Sequence, residues 1–375
     1  MSQKTRGFSC VIDGTDQWSN ARALTVNTLH GEFKTPIFMP VATQAALRHV
    51  DLAFAEQLDY GVLLANTYHL MVRPGIERFQ EFGDIHTFMR WPNSVLTDSG
   101  GFQLFSLSKQ IRISEEGARF RSYTDGRWIK LSPESSIEMQ KAIGSDIMMV
   151  LDHCLNSTSD ISDLRRALEL TTRWAKRSLA ARGDSNQALF GIVQGGCDEA
   201  LRRESASYIT ELPFDGYALG GLAVGETKSQ REDTIEFAAP LLPFDKPRYV
   251  MGIGTPIDLL EAVRRGADMF DCILPTALAT QGVAFTSLGK VDLRKGVYRS
   301  ADIPLDQNCQ CSTCRRFSRA YLHHIVKSKE SIAPQFISIH NLTFYRGLMQ
   351  RMRQAILEGT FSQLYANEAP LISAS

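Results

Sequence analysis

The chain has 375 residues, 43% of them apolar, which is enough for a large core and a size that admits one α/β barrel or two ordinary domains. Lysine plus arginine equals aspartate plus glutamate at 41 each, so the molecule as a whole exerts no long-range pull on a polyanion, and any such partner must meet a local patch. No stretch reads as a secretion signal and no apolar run reaches the roughly 18 residues of a membrane helix; the expectation is a cytoplasmic protein with no membrane partner. Seven cysteines are too few and too unevenly placed for a disulfide scaffold.

In chain order, short apolar runs ending in glycine or polar residues alternate with longer stretches of helical period, the pattern of βα units. The predicted strands cover residues 37–41, 61–65, 94–97, 146–151, 189–193, 216–219, 248–252 and 268–270. The predicted helices include 47–58, 133–143, 161–181, 197–208, 229–242 and 256–265. Eight such units predict an α/β fold of the (β/α)8 TIM-barrel type. Two interruptions, one at residues 104–130 rich in Arg, Ser and Gly and one after Pro275, read as insertions. The expected organisation is a catalytic barrel over residues 1–290, followed at 291–375 by a zinc-binding subdomain and a helical segment packed on the barrel.

In such a barrel, reactive groups sit where strands pass into loops at the C-terminal face. Those points carry Asn66 and Thr67, Asp98 with Ser99, Gly100 and Gly101, Asp152 with His153, Gln194 with Gly195 and Gly196, Gly220 with Gly221, and Asp271. Any one of the acidic residues can be a helix cap; the set together points to a site. Further on, Cys309, Cys311 and Cys314 form C-x-C-x-x-C, a spacing that lets three thiolates reach one tetrahedral ion. The fourth ligand can be His323, His324 or His340 on spacing alone. Four protein ligands would make a Zn2+ ion structural, with no position open to substrate. Between Lys290 and Arg353 there are 12 Lys and Arg against 4 Asp and Glu, a locally basic segment suited to phosphate.

Several strings stand together in order: Asn66-Thr-Tyr-His69, Arg73-Pro-Gly75, Thr97-Asp-Ser-Gly-Gly-Phe-Gln103, Gly220-Gly-Leu-Ala-Val-Gly-Glu226, Met269-Phe-Asp-Cys-Ile-Leu-Pro-Thr276, and the cysteine cluster. Over roughly residues 8 to 350 the sequence resembles the bacterial tRNA-guanine transglycosylases. The resemblance implies exchange of the wobble guanine of G-U-N anticodons for a 7-deazaguanine base, 7-aminomethyl-7-deazaguanine by default, in queuosine modification. It further implies Asp271 as nucleophile, Asp98 as general acid/base, and His340 as the fourth zinc ligand. For the base it implies contacts from Ser99, Gly100, Gly101, Phe102, Asp152, Gln194, Gly221, Leu222, Val224 and Met251. Asp152 would accept from the base, Gln194 and the Gly221 N–H would donate to O6, and Phe102 and Met251 would sandwich the ring.

For RNA the resemblance implies contacts along Gly252, Ile253, Gly254, Thr255, Pro256, Ile257 and Asp258, and along Thr276, Ala277, Leu278, Ala279 and Thr280, with a tRNA anticodon loop as partner and a homodimer as the working form. Two departures matter. Where bacterial relatives commonly read R-N-A-R-N-G, this chain reads Ala277 to Gly282 without arginine, and it carries His153 where Glu is common. His153 admits direct queuine salvage, whereas Val224 favours the smaller base. Two other readings are a catalytically silent zinc-bearing RNA-binding subunit and a nucleosidase acting on small nucleosides.

Overall fold

The computed structural model describes residues 7–102, 111–122 and 126–373. Parts of the predicted 104–130 insertion, residues 104–110 and 123–125, lie outside the described residues, as does Gln103.

The barrel consists of β1 (Ile37–Met39, continued by Val41–Ala42), β2 (Val62–Ala65), β3 (Ser94–Thr97), β4 (Ile147–Met149), β5 (Ala188–Val193), β6 (Gly216–Leu219), β7 (Arg248–Val250) and β8 (Met269–Asp271). All neighbours pair in parallel. Closure occurs within β1: Ile37–Met39 pairs with β8 and Val41–Ala42 pairs with β2. Pro40, which has no N–H to give a ladder, marks the change of partner, and its carbonyl accepts from Leu64 N at 3.0 Å. Every residue of β2 and β5 is buried, as expected for parallel strands covered on both faces.

Local chemistry sets the helix starts. Ser132 and Thr227 form capping boxes with Ser135 and Gln230, and the side chains of Asp198 and Thr255 accept from the backbone N–H three residues on. The same chemistry corrects several predicted boundaries. The helix predicted from residue 47 begins at Leu52, because Ala45 and His49 take left-handed φ values and Asp51 caps the turn. The helix predicted to 242 ends at Ala238, and Pro240 lies in the 3₁₀ turn that follows. The strand predicted from 146 begins at Ile147, because the Asp146 carboxylate accepts from Val95 N at 2.8 Å and from His30 N at 2.9 Å.

Absent from the predicted elements is an antiparallel sheet of Ser9–Thr15, Arg22–Thr28 and Gly31–Lys34. It covers the N-terminal end of the barrel, where Arg22 bonds Asp268, just before β8, through Nε at 3.0 Å and Nη2 at 2.6 Å. Both side chains are essentially inaccessible to solvent. Burial raises the Asp268 carboxyl above its ordinary range, and Arg22 opposes the shift.

At the other end of the chain, the helix Ala333–Glu358 belongs to two cores. Tyr345, Leu348, Met352 and Ile356 pack into the barrel, while Ile337 joins a smaller cluster with Leu305, Leu322 and Ile325 around the cysteines. That smaller core also takes in Ala279 and Ala284, so it begins before residue 291. No helix among the described residues is long and apolar enough to cross a membrane.

Arg22→Met leaves the Asp268 carboxyl buried without its ion partner, and should lower unfolding free energy by about 3–5 kcal/mol. A denaturant midpoint unchanged from the parent would contradict this account of how the barrel floor is held.

Candidate functional site

Asp98 follows β3 and is oriented by three donors: Asn66 Nδ2 bonds Oδ2, while Thr67 N at 3.0 Å and Gly100 N at 3.2 Å bond Oδ1. Asn66 is itself fixed as the cap of the helix Thr67–Val72, its Oδ1 accepting from His69 N. Asp271, the last residue of β8, is held differently. Its Oδ1 accepts from the Tyr249 hydroxyl at 2.5 Å and from Gly252 N at 2.9 Å, and among the described residues Oδ2 accepts no hydrogen bond. Burial raises the Asp271 carboxyl, with those two donors opposing the shift. Tyr249 joins the two acids electrostatically: burial and the Asp271 charge hold its phenol well above the usual range, and the Asp98 charge adds to the effect.

A second constellation forms around Asp152. Gln194 Nε2 donates to Oδ2 at 2.7 Å and Ser99 Oγ to Oδ1 at 3.4 Å. Burial pushes the Asp152 carboxyl up to about 6 despite these bonds. Backbone approaches closely here: a Cβ at Gly101 would lie 2.6 Å from Asp152 Oδ1, and one at Gly221 would lie 2.5 Å from Gln194 Oε1 at a φ of +66. The Gln194 donor expected to face a base is therefore spent on Asp152, and a ligand must compete for it. Leu222 is buried, Val224 and Met251 are half-buried, and Phe102 is 49% exposed. An exposed Phe102 is not a core residue. A cavity of about 330 Å³ beside Asp152 is lined also by Gly101, His153, Ile111, Ile113 and Trp174. Burial lowers the His153 imidazole below its ordinary value, so it stands neutral. Burial also pushes the Cys154 and Cys272 thiols up to about 12, which leaves them protonated and poor nucleophiles.

Three supporting residues were not singled out in the sequence. Tyr249 sits within a strand that carries no mark of its role. Arg202 lies fully buried and donates to the carbonyls of Val193, Gly196 and Gly220 at 2.7–2.8 Å, bracing both loops that carry Gln194 and Gly221. An arginine between Leu201 and Ser205 on the inward face of a helix is the signal that could have found it. Glu226, quoted in a motif without a role, accepts from Val224 N at 2.9 Å and Ser157 Oγ at 3.0 Å and pairs with Arg231.

The segments expected to meet RNA divide by burial. Gly252 and Thr280 are exposed, and Thr255, Ile257, Ala277 and Leu278 are half-buried. Ile253, Gly254, Pro256, Asp258, Thr276 and Ala279 are buried; Asp258 pairs with Arg231 at 3.1 Å and so serves the helix start. In the basic segment, Arg294, Arg346, Arg351 and Arg353 pair with carboxylates, and Arg319 bonds backbone carbonyls. Setting Arg319 aside as well, seven of the twelve cations have neither an anionic partner nor such backbone bonds among the described residues, including the exposed Arg315 and Arg316.

Cys309, Cys311, Cys314 and His340 bring one ligand atom each to within 4.8 Å of one another. His340 Nδ1 lies 3.2 Å from Cys314 Sγ and 3.8 Å from Cys311 Sγ. Its Nε2 lies 2.7 Å from the Phe285 carbonyl, which can only accept, so Nε2 carries the proton and the Nδ1 lone pair faces the sulfurs. The cluster can hold one metal ion. His323 Nδ1 is instead bonded to the Leu293 carbonyl, and His324 is exposed.

Because the Asp152 carboxyl is raised, the fold favours its neutral form. Its contribution to stability is complete below the unfolded value near 3.8 and is lost as pH rises through about 6. Asp152→Asn should therefore stabilise the protein at pH 8, by up to about 3 kcal/mol, and not at pH 3.5. Equal effects at both pH values in denaturant titrations would contradict the assignment.

A family model described as queuine tRNA-ribosyltransferase matches residues 16–370. The chain is 49% identical over 345 residues to the queuine tRNA-ribosyltransferase of Solidesulfovibrio magneticus, covering 92% of each chain. It is 47% identical over 341 residues to that of Bacillus velezensis (91% of this chain, 90% of the relative) and 45% over 343 residues to that of Francisella tularensis subsp. novicida (92% and 94%). With the family model spanning residues 16–370 and these relatives matched over nine-tenths of their length or more, the chain is a member of the queuine tRNA-ribosyltransferase family.

Proposed function

We propose that this enzyme is a tRNA-guanine transglycosylase that replaces the wobble guanine of G-U-N anticodons with a 7-deazaguanine base through a covalent ribosyl-enzyme intermediate. The observation that carries the reading is the asymmetry of Asp271, with one carboxylate oxygen tied by two donors and the other, among the described residues, free of hydrogen bonds at the barrel mouth. The free oxygen attacks the ribose C1′ as the bond to guanine breaks; a proton from Asp98 to the leaving base balances the step. The incoming base then loses a proton to Asp98, attacks the same carbon and releases Asp271. Two displacements retain configuration.

Asp152, as a carboxylate, accepts from N1–H and the exocyclic amine, while Gln194 and the Gly221 N–H serve O6. Phe102 and Met251 take the two faces of the ring. Leaving the anticodon stack costs a few kcal/mol, which this slot helps to offset. RNA contact falls on the exposed and half-buried members of the two segments, namely Gly252, Thr255, Ile257, Ala277, Leu278 and Thr280, and on the unpaired cations near the cysteines. The metal is one Zn2+, held by Cys309, Cys311, Cys314 and His340, and it fixes the segment that carries those cations. The protein acts in the cytoplasm as a homodimer on one tRNA.

The neutral His153 and the cavity beside it favour one second reading, exchange of queuine itself. Release of labelled guanine from tRNA, with 7-aminomethyl-7-deazaguanine and queuine in competition, decides between the bases. The smaller base is expected to be taken more efficiently; failure of both would overturn the function. Asp98→Asn and Asp271→Asn should each lower exchange by at least 10³-fold. Gln194→Met removes a bond that lowers the Asp152 pKa, and should move the acid limb of the pH–rate profile, near 6 in the parent, upward. Metal analysis should find one zinc per chain, lost in Cys314→Ala; a full complement in that variant would contradict the ligand set.

A further inference from the structure

The described part of the insertion between β3 and β4 is a three-stranded antiparallel sheet, Arg112–Ser114, Gly117–Arg121 and Trp128–Leu131. Its two faces differ. Inward, Ala118, Phe120, Ile129 and Leu131 pack against Tyr68, Leu151 and Trp174. Outward, Arg112, Arg119, Arg121, Trp128 and Lys130 are all exposed. Arg112 pairs directly across from Arg119, and Arg119 from Lys130. Like charges opposite one another destabilise a sheet, so this face is not arranged for stability. Lys130 is relieved by Glu116 at 3.0 Å, but Arg112, Arg119 and Arg121 have no carboxylate partner among the described residues. Arg119 and Arg121 both lie 5.0 Å from the Trp128 ring, which orders two long side chains without neutralising them.

The sheet is joined to the active-site mouth. Ile111 and Ile113 line the same cavity as Gly101, Asp152 and His153, and Leu131 touches the position a Cβ of Gly100 would take. In the closed strand order, β3 and β4 stand three and four strands from β8, across the barrel from the segment that leads to the cysteine cluster. A polyanion laid over the mouth thus meets unpaired cations on both sides.

We infer that the outward face of this sheet is a second RNA-contact surface, in which Arg112, Arg119 and Arg121 bind backbone phosphates flanking the extruded nucleotide and Trp128 presents two of those arginines. The inference rests on the proposed function for the identity of the polyanion. It also gives a reason for the absence of arginine from Ala277 to Gly282: charge needed near the reacting nucleotide is supplied from the opposite rim. Each phosphate contact removed should lower the salt dependence of binding by somewhat less than one unit of slope.

The test uses the full-length enzyme with unmodified tRNA, measuring binding against salt separately from base exchange. Arg112→Gln/Arg119→Gln should lower the slope by about 1.5 and raise KM for tRNA about tenfold, with KM for the free base and kcat unchanged and thermal stability equal or higher. Arg112→Lys/Arg119→Lys should retain the slope, and Trp128→Ala should raise KM for tRNA severalfold. An unchanged slope and KM in the glutamine variant overturns the surface, as does an equal loss in the lysine variant, which would mean a structural role. If the parent binds tRNA with the expected slope yet exchanges no base, the proposed chemistry fails while the surface stands.

Discussion

The chemistry depends on one restraint: a half-buried carboxylate at the end of β8 that is gripped by a single oxygen. Tyr249 and Gly252 hold Asp271 Oδ1 and fix the plane of the group, which leaves Oδ2 as the atom that can move toward carbon. Burial disfavours its charge, and a bond to ribose discharges it, so the environment that raises the carboxyl also makes ester formation less unfavourable. Tyr249 remains a donor throughout, because the same burial and the same charge keep its own proton in place.

Around that restraint the site is built from backbone and braces. Gly101 and Gly221 allow chain to pass within contact of Asp152 and Gln194, where a side chain has no room. Loops this rich in glycine need support from outside. Arg202 ties Val193, Gly196 and Gly220 together, and Glu226 does the same for the Val224 turn while pairing with Arg231, which reaches on to Asp258. Burial lowers Arg202 to about 10, still well charged at neutral pH, and three carbonyl dipoles take the place of water around it. Positions that touch no substrate in this account thus determine where Gln194 and Gly221 stand.

Much of this was legible beforehand, for physical reasons. Parallel strands such as Ala188–Val193 are buried on both faces and read as unbroken apolar runs, so the eight barrel units stood out. Polar residues directly after them marked the mouth. The N-terminal sheet was harder, because Ser9–Thr15 alternates half-buried with exposed residues and its last strand is only four residues long. Residues that act through partners distant in sequence were hidden altogether. Tyr249 is one aromatic in an apolar strand until β8 places Asp271 beside it, and Asp258, which the resemblance puts among the RNA contacts, proves buried against Arg231 once the two helices meet. Single-chain patterns carry periodicity and caps; they do not carry which loops meet.

The most direct test of the central claim is to quench the enzyme with tRNA in the absence of incoming base and to map any covalent adduct by peptide mass spectrometry. The account predicts a ribosyl-RNA ester on the peptide containing Asp271, formed far more slowly in Asp98→Asn, which lacks the acid for the leaving base, and absent in Asp271→Asn. An adduct on any other residue, or guanine exchange that proceeds in Asp271→Asn, would contradict it.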